Sequence, residues 1–246
     1  MITSEMLITL TRLNKKTIIM KRITIALAAI LIATIPAACQ SSNKSNKEKE
    51  AIAQETITPV EVPIKEGMAR AYFASGCFWC VEAIYESVKG VEESISGYSG
   101  GHTNNPTYES SNTGRTGHAE AVEIIYNPDV VSFKILVDVY FGSQNITQVN
   151  GQGPDNGSQY RSIIFYQNDE QKKIIETKIT ALEKEVGEGK VAAQVLPFEK
   201  FWIGEAYHQN YERLNPNQGY IRSVSVPRLK KFQKKFPELI KEDAMH

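Results

Sequence analysis

The chain is poor in the side chains that hold soft metals, with three cysteines and four histidines in 246 residues. His102, His118, His208 and His246 show no ligand spacing, and Cys39 is the only thiol besides Cys77 and Cys80. A tetrahedral zinc site therefore lacks its ligands. Charge of one sign is also missing: 28 basic side chains face 28 acidic ones. No basic stripe interleaved with aromatics is present, which excludes the usual footprint of a nucleic-acid binder. Internal repeats are absent too. What is there, 41% hydrophobic and 23% charged residues, suffices for one core of ordinary size.

The N-terminal region is read separately from the fold. From Met20 the chain runs "MKRITIALAAILIATIPAACQSS", two basic residues, an apolar run and small residues ending at Cys39. That is the layout of a secretory signal, too short and wrongly flanked for a membrane span. "PAAC" resembles the lipobox of bacterial lipoproteins, with Pro36 where an aliphatic residue is usual, so Cys39 is the expected lipidation site. Met20 is the expected start, with Met1 to Ile19 as an upstream extension. Residues 1–38 are thus assigned to extension and signal, and 39–67 to a polar tether, leaving a domain over 68–246. Loss of the basic leader makes the mature chain net acidic. An exported protein of the cell envelope or periplasm, lipid-anchored to a membrane, is expected.

Within the domain, "RAYFAS" reads as a strand, Gly76 as a turn, and Cys77, Val81, Ile84 and Val88 as one face of a helix. Cys77 then sits over a helix N-terminus, where free N–H groups and the positive dipole end stabilise a thiolate. It is the expected nucleophile, and Cys80 lies one turn on, within disulfide reach. In "HAEAVEIIY" the parity of a strand puts Glu120 with Val122, Ile124 and Tyr126. A carboxyl covered on that apolar face resists ionisation and keeps its proton nearer neutrality; at a wet strand end it does not. "SFKILVDVYFGS" and "DEQKKIIETKITALEKEVG" have helical periodicity with Ser132 and Asp169 as N-caps, while "YRSIIFYQ" and "VAAQVL" read as strands. The irregular alternation predicts an α/β (α+β) sandwich of two layers with a mixed sheet.

The pair Cys77 and Cys80 admits several readings. As a staple it would close a very small loop and stabilise weakly. As a redox couple it has what is needed, a thiol at a helix start with a partner in reach. A thioredoxin-like exchanger usually places small or polar residues between its cysteines, whereas this chain has Phe78 and Trp79. Those side chains suit either core packing or the wall of an apolar pocket for a group such as the S-methyl of an oxidised methionine. An anchored binding protein with a structural disulfide is the non-enzymatic alternative.

"GCFWC", "GYSGG", "NPTYE", "TGHAE", "GPDNGSQYRS" and "YHQNY", in this order, resemble the peptide-methionine (S)-S-oxide reductase family, MsrA, from about residue 70 to the "VPRL" segment. The resemblance implies a two-layer α/β core related to the ferredoxin-like plait. It implies Cys77 as nucleophile, Phe78 and Trp79 as the wall for the substrate methyl, and Glu120 as the acid that protonates the sulfoxide oxygen. Tyr108 and Tyr160 match the phenols that hydrogen-bond that oxygen, and Asp155 and His208 match positions lining the polar side of the pocket. The implied reaction returns methionine-S-sulfoxide, free or in damaged protein, to methionine. It leaves a sulfenic acid on Cys77, which Cys80 condenses to a disulfide that a thioredoxin-like donor resets. No metal or organic cofactor is implied, and a monomer is expected.

The chain departs from the family pattern twice. Where many members carry a resolving cysteine in a "GYC" segment, this chain has Ile221 in "NPNQGYIRS", which leaves Cys80 as resolver. In "FGSQNIT", Gln144, Asn145 and Ile146 replace a usual His-Asp-Pro-Thr stretch, leaving that loop without an assigned role.

Overall fold

The computed structural model describes residues 57–244. The signal run, Cys39 and most of the expected tether lie outside the described residues. Among the described residues six strands form the main sheet. In chain order they are β1 (Ala69–Ala74), β2 (Val91–Ser99), β3 (Ala119–Tyr126), β6 (Ile163–Tyr166), β7 (Gln194–Pro197) and β8 (Phe201–Ile203), with a separate two-residue hairpin of β4 (Gly151–Gln152) and β5 (Asp155–Asn156). The helices are α1 (Phe78–Glu86), α2 (Tyr108–Asn112), α3 (Phe133–Gly142), α4 (Asp169–Val186), α5 (Tyr211–Leu214) and α6 (Val226–Lys235).

The sheet order is β7-β6-β1-β3-β2-β8. The pairs β6–β1, β1–β3, β3–β2 and β2–β8 are antiparallel, and β6–β7 is parallel, so the sheet is mixed as expected. Taken alone, β1-α1-β2-β3-α3-β6 with the order β6-β1-β3-β2 is the ferredoxin-like arrangement. The alternating pattern of β1 divides its side chains between two clusters: Ala71 and Phe73 face the helices, and Tyr72 and Ala74 face the opposite side. Phe73 stacks on Tyr85 of α1 with ring centroids 5.2 Å apart. The large phenols of this core are satisfied, Tyr85 donating to the Leu136 carbonyl and Tyr140 to the Ala74 carbonyl, both at 3.0 Å.

Ser132 caps α3, its hydroxyl accepting from the Ile135 N–H. The cap of α4 is Asn168 rather than Asp169: Asn168 is extended and its side chain accepts from the Gln171 N–H, while Asp169 is the first helical residue. Of the expected strand "VAAQVL" only Gln194–Leu196 pairs with the sheet, continued in β7 by Pro197, because the Ala192 N–H is bound to the Ile146 carbonyl instead. Residues 57–67, expected to belong to the solvated tether, include a stretch tied to the domain. The Val60 N–H donates to the Phe198 carbonyl at 2.7 Å and the Val62 N–H to Gln167 Oε1 at 2.8 Å. A five-residue π-helical turn, Ile221–Ser225, runs directly into α6. Such turns interrupt regular helix geometry and often sit beside functional groups.

Candidate active site

The site forms where β1 ends and α1 begins. Gly76 turns the chain with φ +78°, and a Cβ there would fall 2.5 Å from the Gln152 Cβ, so both backbone sign and space require glycine. Cys77 follows as the N-cap of α1. The turn is held from outside by Arg228 of α6, which donates to the Ser75 carbonyl at 3.0 Å, the Ser75 hydroxyl at 2.9 Å and the Ser143 carbonyl at 2.9 Å. Gln144 also reaches it: its Oε1 accepts from the hydroxyls of Ser75 and Ser162 at 2.9 and 2.8 Å and from Gln152 Nε2 at 3.1 Å. The "SQNI" loop thus does support the site, through a buried amide that braces both the turn before Cys77 and the segment after Tyr160.

Glu120 behaves as the covered alternative requires. It is only 2% exposed, shares the helix-facing side of β3 with Val122 and Ile124, and lies opposite Tyr98 of β2. Its Oε2 accepts the Phe78 N–H at 3.0 Å. Burial pushes its carboxyl up to about 8, the Phe78 hydrogen bond opposing, with Asp155 and Cys80 adding to the rise. A neutral carboxylic acid therefore persists at physiological pH.

The thiols differ from the expectation. Cys77 is 6% exposed and Cys80 1%, and both are free thiols. Burial pushes the Cys77 thiol well above its ordinary value, and its hydrogen bond with Cys80 and the Glu120 charge push the same way. Two features oppose the low-pKa thiolate expected at the helix start. The sulfur is dry, and the first N–H of the helix serves Glu120 instead. Cys80 is the pair's acceptor, lowered chiefly by that bond from Cys77 against the cost of burial.

The phenols converge on the same point. Tyr108 and Tyr160 are both raised, first by burial and then by the charges of Glu120 and Cys77, which places all four groups in one electrostatic neighbourhood. Asp155 lies on its rim, accepting the Tyr220 hydroxyl at 2.5 Å. Thr107 caps α2 with a reciprocal pair of hydrogen bonds and so fixes Tyr108 as the first helical residue.

Aromatic side chains enclose the cysteine. The ring of Phe78 lies 6.1 Å from Trp79, 6.3 Å from Tyr108 and 4.7 Å from His208. Trp79 stacks on Tyr211 at 3.8 Å and donates its Nε1–H to His208 Nδ1 at 3.1 Å. His208 is 1% exposed and held neutral by burial, so it acts as an acceptor that aims Trp79. Four residues that sequence reasoning left out complete the arrangement. Glu205 accepts from the Tyr98 hydroxyl at 2.8 Å and from the Tyr108 N–H at 2.9 Å. Glu82 accepts from the Ser96 hydroxyl and the Asn210 N–H, both at 2.5 Å. Tyr220 lies 3.7 Å from the Cys80 sulfur, and Arg228 clamps the turn. For Glu82 a signal existed: it lies four residues after Phe78 and three before Tyr85, on a second buried row of α1, where a charge is costly unless paired. His102 and His118 take no part; His118 bonds the Gly101 N–H and the Thr103 carbonyl within its loop. Among the described residues no group of three or more His, Cys, Asp or Glu could hold a metal ion.

A buried dithiol beside a neutral carboxylic acid, phenol donors and an aromatic wall defines a thiol-dependent reductase of a small apolar substrate group bearing a basic oxygen. The comparisons agree. Residues 69–240 match the family model "Peptide methionine sulfoxide reductase". Peptide methionine sulfoxide reductase MsrA of Pasteurella multocida is 46% identical over 172 residues, covering 70% of this chain and 98% of the relative. That of Saccharolobus solfataricus is 45% identical over 174 residues, covering 71% and 98%. Among solved structures, methionine sulfoxide reductase A of Corynebacterium diphtheriae superposes with a TM-score of 0.57 at 31% identity, over 63% of this chain and 78% of that one. Reduced Mxr1 from Saccharomyces cerevisiae gives 0.57 at 30% identity, over 66% and 92%. The chain belongs to the peptide methionine sulfoxide reductase family and is an oxidoreductase of the MsrA type.

Proposed function

We propose that this protein reduces methionine-S-sulfoxide, free and in oxidised proteins, with Cys77 as nucleophile, Glu120 as acid and Cys80 as resolving thiol. The observation that carries the reading is Glu120, a carboxyl buried beside Cys77 whose acid form survives to about pH 8. Sulfoxide oxygen leaves only once protonated or strongly hydrogen-bonded. Glu120 supplies the proton, and Tyr108 and Tyr160 supply donors aimed at the oxygen as its charge grows. Polarisation makes the substrate sulfur electrophilic, and the developing positive charge beside Cys77 favours loss of the thiol proton that burial otherwise retains. The Cys77 sulfur bonds to the substrate sulfur, and the S–O bond breaks as the oxygen leaves as water with the Glu120 and Cys77 protons. Attack of that water on the Cys77 sulfur breaks the S–S bond, releases methionine, returns a proton to Glu120 and leaves Cys77 as a sulfenic acid. Cys80 then attacks that sulfur, releasing water and forming the Cys77–Cys80 disulfide. A thioredoxin-like dithiol donor resets the pair.

Phe78 and Trp79 hold the S-methyl group, and the fixed direction of Glu120 relative to that wall is the basis for choosing the S epimer. An open exchanger of the thioredoxin kind fits less well, because both sulfurs are buried. The test uses a peptide carrying each sulfoxide epimer with dithiothreitol as reductant. Methionine should form from the S epimer alone; no reduction of it overturns the reading. The reading also includes export and lipidation of Cys39, with residues from there to the domain as a tether and the folded part working as a monomer. Mass spectrometry of the mature N-terminus checks cleavage and lipidation; an unmodified Cys39 rejects the anchor.

A further inference from the structure

Cys80 sits at one end of a short chain of polar hydrogens. Its sulfur lies 3.7 Å from the Tyr220 hydroxyl, and that hydroxyl lies 2.5 Å from Asp155 Oδ2. A carboxylate only accepts, so the phenol proton points at Asp155 and the phenol oxygen is left to accept from the Cys80 thiol. The two side chains that bracket this phenol share an outlet. Cys80 and Asp155 both line a cleft of about 600 Å³ between the loop around residues 142–155 and the start of α6, into which Arg228 and Lys231 also project. Tyr220 stands immediately before the π-helical turn Ile221–Ser225, and its ring meets Trp79 edge-on at 6.1 Å. The phenol is thereby placed from the C-terminal segment and not from the strand-helix unit that carries the thiols.

We propose that Tyr220 is a catalytic residue of disulfide formation, passing the Cys80 proton toward Asp155, which acts as its positioning carboxylate at the mouth of the cleft. This rests on the reading of Cys80 as the resolving thiol. In the step, the Cys80 S–H proton moves to the Tyr220 oxygen as Tyr220 gives its own to Asp155. The freed sulfur pair attacks the Cys77 sulfenic sulfur and displaces hydroxide. That hydroxide and the proton shed by Asp155 make one water, so the balance is one thiol and one sulfenic acid in, one disulfide and one water out. The thiol sulfur is oxidised and the sulfenic sulfur reduced to the same level. No outside oxidant or reductant enters.

Electrostatics suit these roles. Burial raises Asp155 above its ordinary value, the Tyr220 hydrogen bond and the Arg228 charge opposing, which makes it a better proton acceptor, and Tyr220 is raised strongly by burial and by the nearby thiols, so it relays a proton without losing one. The lowering of Cys80 in the resting pair comes chiefly from the bond with the Cys77 thiol, which is gone once Cys77 is a sulfenic acid. Burial then holds the proton on Cys80 until the relay takes it, and the charge of Arg228 favours the thiolate that the transfer leaves.

The experiment follows the Cys77 sulfenic acid after one equivalent of substrate, by dimedone trapping and free-thiol counting. Tyr220→Phe should lengthen its lifetime about ten- to a hundredfold relative to the sulfoxide-reduction step, and reduce the solvent deuterium isotope effect on resolution. Asp155→Asn should lengthen it in the same direction, which keeps the test open if either variant folds poorly. A Tyr220→Phe lifetime within about twofold of the unsubstituted enzyme, or an unchanged isotope effect, overturns the proposal. Cys80→Ser separates the two levels. If it turns over normally with thioredoxin, the resolving role itself fails; if it stalls while Tyr220→Phe resolves normally, only the relay fails.

Discussion

The first N–H of α1, that of Phe78, ends on the carboxylate of Glu120 at 3.0 Å, across 42 positions of sequence. The bond ties the residue after the nucleophile to the acid, so the distance between reacting sulfur and proton source is set by the join of helix and sheet. It also uses a donor that would otherwise stabilise the Cys77 thiolate. Nucleophile and acid are thereby coupled: an ionised Glu120 adds its charge to the burial that chiefly holds the proton on Cys77, and a neutral Glu120 removes that addition.

Glu120→Gln keeps an acceptor for Phe78 and removes the transferable proton. The sulfoxide-reduction step should slow by about 10²–10⁴-fold, measured in single turnovers with a saturating S-sulfoxide peptide. An unaltered rate refutes the acid role.

The same substitution should act on stability with the opposite sign. Glu120 is raised from 4.5 to about 8. Between those values the folded state binds more protons than the unfolded one, so stability falls as pH rises through this window. Glu120→Gln removes that dependence, so the variant should melt higher than the parent at about pH 8.5 and show little gain at about pH 5. Thermal denaturation at the two pH values decides it; equal differences at both reject the assignment.

Cys80→Ser should complete one turnover, leave a trappable sulfenic acid on Cys77, and lose steady-state turnover with thioredoxin as donor. Burst amplitude and steady-state rate, read in one stopped experiment, distinguish the steps.

Trp79 is fixed by a stack on Tyr211 and by its hydrogen bond to His208. Trp79→Phe keeps an aromatic ring and drops the donor, which should destabilise the fold by about 1 kcal/mol and raise KM for the sulfoxide with a smaller change in kcat. Denaturant melts and Michaelis curves report the two effects; a fall in kcat at constant KM would mean that Trp79 acts on the chemistry rather than on binding.

Glu82 carries the segment that presents His208 and Tyr211. It is 2% exposed and raised to about 7 by burial, with the Ser96 and Asn210 donors pulling the other way. Asn210 is held in a left-handed conformation, φ 55°, at the start of α5, so its N–H needs this partner to fix the turn. Glu82→Gln should raise KM severalfold while the single-turnover rate at saturation changes little. A normal KM would show that the segment holds its shape without the charge.

Local pattern alone determined the chemical core of this protein. The strand-turn-helix around Cys77, the side of β3 on which Glu120 lies, the cap of α3 and the mixed two-layer class all follow from periodicities of two and 3.6 residues and from turn chemistry. These are properties of neighbours in sequence, and six ordered motifs extended them to a family. Tertiary structure decided what those residues are like once assembled. It made Cys77 a dry, proton-retaining thiol, chose the covered state of Glu120 over the wet one, and moved the cap of α4 to Asn168. It also brought Glu82 to Asn210, Glu205 to Tyr108, and Tyr220 to both Cys80 and Asp155. The reason is physical: burial and hydrogen bonding between residues 97 and 140 positions apart are set by how helices and loops close over the sheet, and no short-range pattern records them.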